Sequence, residues 1–141
     1  MIAYFDTSAV IPLVIDEPAT ELCNRLWNQS TRALSVRLVY PESRAALARA
    51  QRMDRLNRSQ LQAAVDELDS LMHELDVVEL SPAIAQSAGE LAEHLGLRGD
   101  DAVHLAAALA VADDDLVLVS GDIDLAAAAS DAGIAVALTT S

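Results

Sequence analysis

Short apolar runs alternate along this chain with segments in which apolar residues recur at helical spacing. The runs at 2–5, 33–36, 116–119 and 134–138 are typical of buried strands, and residues 76–80 alternate as a further strand. A regular succession of strand and helix favours a parallel sheet covered by helices on both faces. The pattern therefore predicts an α/β fold.

Boundary residues indicate where the intervening helices begin and end. Ser59 with Gln62 resembles a capping box, and Ser81 followed by Pro82 is typical of a helix start. The helix that contains Glu42 has two possible starts. If it begins at Ser35, Pro41 lies in its interior and bends it, whereas a later start places Pro41 harmlessly in the first turn. We expect helices over 8–14, 18–29, 35–56 or a later start, 59–75, 81–95, 99–112 and 125–132.

Acidic residues follow two of the predicted strands. Asp6 comes directly after the first apolar run, and Asp122 comes shortly after the run at 116–119. Parallel strands of one sheet end at the same edge, where open α/β sheets hold their active sites, so we expect these two acids to be neighbours. Asp101 opens a helix that is apolar almost all round, with His104 one turn later. Taken alone, however, Asp6 is equally well explained as a helix cap.

A cluster of carboxylates predicts a bound cation. Close carboxylates repel one another and their pKa values rise unless a positive charge lies between them. Mg²⁺ and Mn²⁺ are hard ions that prefer such oxygen ligands. A chain with 22 acidic residues also produces some clusters of this kind by chance. Spacing alone therefore leaves two interpretations, a metal site and a chance cluster of acids.

Length and composition favour one globular domain over residues 1–141. A hydrophobic fraction of 52% suffices for a sizeable core, and no apolar run reaches the length of a membrane-spanning helix. The N-terminus lacks the basic and apolar regions of a secretion signal. The sequence therefore predicts a cytoplasmic protein that does not interact with membranes.

The charge balance restricts the possible functions. The chain has nine arginines, no lysine and a net charge of −13. P-loop nucleotidases, receiver domains and haloacid-dehalogenase-type phosphatases all need a lysine, so the composition excludes them. Five arginines lie within fifteen residues, and we expect a stripe on one helix: Arg44, Arg49, Arg52, Arg55 and Arg58. This stripe is either a solvated helix face or a contact surface for RNA phosphates or an acidic protein segment.

Four short segments together resemble the acidic blocks of the PIN domain family. They lie at 5–10, 41–44, 97–106 and 119–122, in the order that this family shows, and the similarity extends from Ile2 to about Leu138. The Asp-Ala-Val-His-Leu-Ala segment that begins at Asp101 is the most specific. The last block has Ser-Gly-Asp where the family usually has Thr-x-Asp. The small size of the chain is similar to that of VapC toxins from bacterial toxin–antitoxin pairs.

The resemblance implies a three-layer α/β/α sandwich with a central parallel sheet and an endoribonuclease that depends on Mg²⁺ or Mn²⁺. Carried over to this chain, the catalytic and metal-binding residues are Asp6, Glu42, Asp101 and Asp122. Ser8 and Ser120 are expected to orient carboxylates by hydrogen bonds. A nearby second acid, Asp124, leaves open which side chain of this loop reaches the metal. No side chain attacks the RNA in such a site, because the nucleophile is water.

The resemblance also implies partners. We expect RNA as the substrate, a VapB-like antitoxin as the inhibitor, and a homodimer. The alternative is a catalytically idle PIN-like module that only binds protein or RNA. Retention of all four acids favours the enzyme.

Overall fold

Five parallel strands form the central sheet of this computed structural model, which describes residues 1–140. They are β1 (Ile2–Phe5), β2 (Arg32–Val36), β3 (Asp76–Val78), β4 (Leu116–Ser120) and β5 (Ala135–Leu138). Their order across the sheet is β3-β2-β1-β4-β5, which places β1 at the centre. The last residue of the domain predicted over 1–141 lies outside the described residues.

Helices cover both faces of the sheet, as the sequence predicted. They are α1 (Thr7–Val14), α2 (Thr20–Gln29), α3 (Val39–Arg52), α4 (Arg58–Glu74), α5 (Pro82–Leu95), α6 (Gly99–Ala110) and α7 (Ile123–Asp131). One buried cluster joins the sheet to α1–α4, and a second joins its other face to α6 and α7. Helix α5 packs on α6 and thus belongs to the second helical layer. With one helical layer on each face of the sheet, the fold is the expected three-layer α/β/α sandwich. Within residues 1–140, no helix is long and apolar enough to cross a membrane.

The central strand β1 determines where the first acid lies. Its side chains alternate between the two faces, with Phe5 in the cluster beneath α1–α4 and Tyr4 in the cluster beneath α6 and α7. The register pairs Phe5 with Val119 of β4. As a consequence Asp6 and Ser120, which directly follow Phe5 and Val119, lie side by side at the carboxyl edge of the sheet.

The structure selects the later of the two possible starts of the Glu42 helix, and it moves the predicted capping box. Helix α3 begins at Val39, so Pro41 lies in the first turn, where a missing N–H costs no intrahelical bond. Helix α4 is capped by Asn57 and Gln60 rather than by Ser59 and Gln62. The Asn57 side chain accepts from Gln60 N at 2.7 Å, and the Gln60 side chain accepts from Asn57 N at 2.8 Å. The capping box is real but lies two residues earlier, because Asn57 has the extended backbone that a cap needs.

The predicted arginine stripe is interrupted. Helix α3 ends at Arg52, and the chain reverses at Asp54, which has a φ of 61°. Arg55 then forms an ion pair with Glu17 at 3.6 Å, and Arg58 begins α4. The spacing of three residues between arginines continues in the sequence after helix α3 has ended. The five arginines therefore do not form a single helix face.

Candidate functional site

All four predicted acids line one cleft at the carboxyl edge of the sheet. The cleft has a volume of about 600 Å³. Asp6 follows β1, Glu42 lies in the first turn of α3, Asp101 lies in the first turn of α6, and Asp122 caps α7. Asp124 lines a neighbouring cavity instead. Sequence elements that are more than 100 residues apart thus contribute carboxylates to one space.

Asp6 is both a helix cap and a cleft residue. Its Oδ1 accepts hydrogen bonds from Ser8 Oγ at 2.6 Å and from the backbone N–H of Ala9 at 3.0 Å. Its Oδ2 accepts from Ser120 Oγ at 2.6 Å. Burial raises the pKa of Asp6, while the nearby His104 side chain and these hydrogen bonds oppose the rise. The two interpretations of Asp6 left open by the sequence are therefore compatible.

Ser8 and Ser120 connect the loops that follow β1 and β4. Each serine donates to Asp6 and accepts a backbone N–H from the β4 loop: Gly121 N lies 2.8 Å from Ser8 Oγ, and Asp122 N lies 2.9 Å from Ser120 Oγ. A side chain at Gly121 would crowd this connection, since a Cβ there would lie 3.1 Å from Thr139 Oγ1. The serine roles that the resemblance implied thus have matching geometry, and both serines orient the same carboxylate.

Arg98 lies among the acids of α6 and α7. Its Nε is 3.3 Å from Asp101 Oδ2 and 3.8 Å from Asp100 Oδ1, and its Nη2 is 3.6 Å from Asp122 Oδ2. Burial together with the charges of Asp122 and Asp100 nevertheless raises the pKa of Asp101 to about 6. Arg98 therefore offsets the repulsion between these carboxylates only in part.

Glu42 is oriented by a buried polar network. Its Oε1 accepts from Thr7 Oγ1 at 2.7 Å and lies 2.8 Å from His104 Nε2. Both bonds fall on the same oxygen, so they orient the carboxylate without engaging Oε2. Burial alone would raise the pKa of Glu42, but the hydrogen bonds from His104 and Thr7 outweigh it and hold this pKa below its usual range. Glu42 is thus kept ionised.

Tyr4 defines the role of His104. The phenol oxygen lies 2.9 Å from His104 Nδ1, on the opposite side of the ring from Glu42. Because burial raises the pKa of the Tyr4 phenol, this hydroxyl keeps its proton and can donate to Nδ1. With Nδ1 accepting from Tyr4, the Nε2–H of His104 donates a hydrogen bond to Glu42 Oε1. His104, only 2% exposed, is a satisfied core residue that also contacts a cleft acid.

The chemistry of the cleft suits a hard divalent cation. Its acidic side chains offer carboxylate oxygens as ligands, and two of these side chains, Asp6 and Asp101, have raised pKa values. The guanidinium of Arg98 already places one positive charge beside Asp101. Among residues 1–140, no three Asp, Glu, His or Cys side chains are gathered as a bound metal requires. Arg98 contacts Asp101 and Asp122, while Thr7 and His104 contact Glu42. Metal binding would require these side chains to rearrange.

Arg98, Thr7 and Tyr4, which contact the cleft acids or His104, were not predicted as site residues from the sequence. Arg98 stands three residues before Asp101, a spacing at which side chains meet on a helix, and this signal could have identified it. Thr7 and Tyr4 had no comparable signal, because their partners lie 35 and 100 residues away along the chain. Long-range pairs of this kind can be identified only in the folded structure.

Comparisons with known proteins agree with this architecture. The family model described as PIN domain matches residues 3–131. Ribonuclease VapC45 of Mycobacterium tuberculosis (strain CDC 1551 / Oshkosh) is 44% identical over 136 residues, which are 96% of this chain and 94% of the relative.

Two solved structures share the fold. VapC20 of Mycobacterium tuberculosis, described as a Sarcin-Ricin loop cleaving toxin, aligns with a TM-score of 0.70 and 20% identity, over 89% of this chain and 94% of that chain. VapBC2 from Rickettsia felis, bound to a DNA fragment from its promoter, aligns with a TM-score of 0.67 and 17% identity, over 98% of each chain. At these identities the similarity bears on the fold alone.

The first prediction concerns the buried hydroxyl of Tyr4. Tyr4→Phe leaves His104 Nδ1 without its partner in a buried site, so we expect the free energy of unfolding to fall by about 1–3 kcal/mol. Urea denaturation measures this loss. The matched control is Tyr40→Phe, whose hydroxyl bonds to Asp69 and Arg44 are exposed, and which we expect to cost under about 0.5 kcal/mol. Equal losses in the two variants would contradict the network.

The second prediction concerns pH. An acid whose pKa is raised by folding destabilises the fold when it is ionised, and this cost appears as the pH rises from the unfolded pKa through about 6. Asp101→Asn should therefore stabilise the protein in EDTA at pH 7.5, by about 2–3 kcal/mol, with about half that gain at pH 5. Urea denaturation at both pH values measures the gain. A less stable Asp101→Asn protein at pH 7.5 would contradict the raised pKa.

Proposed function

The chain belongs to the PIN domain family, and from that membership we propose that it is an endoribonuclease that depends on Mg²⁺ or Mn²⁺. The observation that carries the proposal is the convergence of Asp6, Glu42, Asp101 and Asp122 on one cleft at the carboxyl edge of the sheet. The ribonuclease name of a relative that is 44% identical supports the same activity. RNA is then the substrate.

Asp6 and Asp101 are the principal candidates to hold the metal, with Glu42 and Asp122 contributing directly or through water. When bound, a divalent cation would activate water for attack on a phosphodiester and neutralise charge on the leaving oxygen. Serine hydroxyls fix both oxygens of Asp6, which limits its motion. Thr7 and His104 keep Glu42 ionised and oriented. The protein thus contributes positioning and charge.

The α3 wall of the cleft supplies positive charge for the substrate. Arg49 and Arg52 line the same cleft as the four acids. A chain with a net charge of −13 repels RNA overall, so local arginines are needed where the backbone enters. We therefore assign a role in RNA contact to Arg49 and Arg52 alone and not to the whole predicted stripe of five arginines, which is interrupted.

We further propose that the enzyme is a toxin that a VapB-like antitoxin inhibits, and that it acts as a homodimer in the cytoplasm. The 44% identity to a VapC ribonuclease supports the toxin, and the fold shared with the VapC20 toxin and with a VapBC complex is consistent with the toxin and the partner. An acidic cleft favours a basic inhibitory segment by charge complementarity. A strictly monomeric mass at micromolar concentration would count against the homodimer.

Cleavage by the purified protein tests the catalytic proposal. We expect RNA cleavage with Mn²⁺ or Mg²⁺, its loss in EDTA, and a fall of at least about a hundredfold in Asp6→Asn and Asp101→Asn, because each removes a charged ligand. Gel electrophoresis of a labelled RNA measures the rate. The matched control is Asp124→Asn, which changes a nearby acid of the neighbouring cavity and should cleave within about threefold of the unmodified protein.

Two outcomes would overturn the proposal in different ways. Undiminished cleavage by Asp6→Asn and Asp101→Asn would show that the four acids are not the active site. No cleavage of any RNA by the well-folded protein would favour the catalytically idle binding module. Equal losses in Asp122→Asn and Asp124→Asn would mean that both acids of this loop serve the reaction.

Growth tests the toxin proposal separately. Induced expression without an antitoxin should arrest bacterial growth, and the Asp6→Asn protein expressed to the same level should not, because arrest requires cleavage. Colony counts after induction measure the effect. Normal growth in cells that contain the active nuclease would point to RNA processing instead of toxicity.

A further inference from the structure

Arg98 is the one cleft arginine that pairs with the acids in the described part of the chain. Its guanidinium contacts Asp101, Asp100 and Asp122, at 3.3, 3.8 and 3.6 Å respectively. Arg49 and Arg52 line the same cleft from α3 but form no ion pair within residues 1–140. Arg98 therefore lies against the acids, whereas Arg49 and Arg52 do not, although all three side chains carry the same charge.

The position of Arg98 in the chain has no helical explanation. It is the N-cap residue of α6, and its side chain makes no capping hydrogen bond. A positive charge at a helix N-terminus is unfavourable, because the helix dipole is positive there. The neighbouring carboxylates compensate for this cost. The interaction that favours arginine at this position is thus with the acids of the cleft.

We propose that Arg98 is the resident counter-cation of the carboxylate cluster and yields its position when a divalent metal binds. The inference rests on the proposed metal-dependent function. The guanidinium contacts Asp101 Oδ2 and Asp122 Oδ2, and a metal held by Asp101 and Asp122 would compete with it for these two carboxylates. Mg²⁺ binds oxygen at about 2.0–2.1 Å, and two cations so close together would repel strongly. Occupancy by one therefore requires the other to leave.

The exposure of Arg98 makes this exchange possible. Its side chain is 74% exposed, whereas the side chains of Asp101 and Asp122 are 11% and 24% exposed. A long exposed side chain can move into solvent without disturbing the core. In contrast, Asp101 is held in the first turn of α6, and Asp122 is held by the capping hydrogen bond that Leu125 N donates to its Oδ1. Arg98 is the most exposed side chain of the cluster.

Metal affinity tests the exchange directly. Because Arg98→Gln removes the competing cation, it should bind Mn²⁺ about three- to tenfold more tightly than the unmodified protein in calorimetry at pH 7.5. Arg52→Gln removes the same charge from the opposite wall and should change the affinity by less than about twofold. Arg98→Lys keeps a cation at the position and should restore the affinity to near that of the unmodified protein.

Thermal unfolding gives a second measurement that does not depend on activity. In EDTA the Arg98→Gln protein should unfold about 2–3 °C lower than the unmodified protein, because repulsion within the cluster is no longer offset. Saturating Mn²⁺ should remove this difference. A circular dichroism spectrum unchanged by the substitution shows that the variant is folded.

The outcomes separate this inference from the proposed function. If the unmodified protein binds Mn²⁺ and Arg98→Gln binds it equally or more weakly, the exchange is wrong while the metal-dependent function stands. If Arg98→Gln and Arg52→Gln tighten binding equally, the effect is general electrostatics and the exchange is again wrong. If the unmodified protein binds no Mn²⁺, the proposed function fails and the inference fails with it.

Discussion

Mutual repulsion among carboxylates in a partly buried cleft is the constraint on which this structure depends. Each ionised acid must be compensated locally, because desolvation and neighbouring negative charge both disfavour it. The protein uses three different means. Hydroxyl and backbone donors compensate the charge of Asp6. The charge of Glu42 is compensated by Thr7 and His104, and the charges of Asp101 and Asp122 are compensated by Arg98. The compensation is incomplete, which leaves the cleft suited to an additional cation.

The parallel sheet makes this arrangement possible. Because β1 and β4 are adjacent and in register, their carboxyl ends deliver Asp6 and Ser120 to the same point, and the serine bonds join the two loops. Helices α3 and α6 begin at the same edge and add Glu42 and Asp101 from their first turns. A rigid scaffold thus holds acids that would separate in a flexible chain, and the fold opposes the repulsion.

Much of the fold and the four acids could be predicted from the sequence, and the details of the site could not. Strands are short apolar runs and PIN-like blocks carry local signatures, so both can be recognised from neighbouring residues. The Tyr4–His104 contact joins residues 100 positions apart, and nothing local to either indicates it. Asn57 took the capping position expected for Ser59 because backbone conformation, not residue type alone, selects a cap. The arginine spacing was misleading because the helix ended before the pattern did.

The proposed function requires that Asp6, Glu42, Asp101 and Asp122 bind a divalent cation in this cleft. Anomalous diffraction from crystals soaked in Mn²⁺ tests it most directly, because the signal locates the metal without reference to activity. We expect a peak within bonding distance of Asp6 and Asp101 carboxylate oxygens, with Arg98 turned away from Asp101. A peak elsewhere on the protein, or none in the cleft of crystals of a protein that cleaves RNA with Mn²⁺, would contradict it.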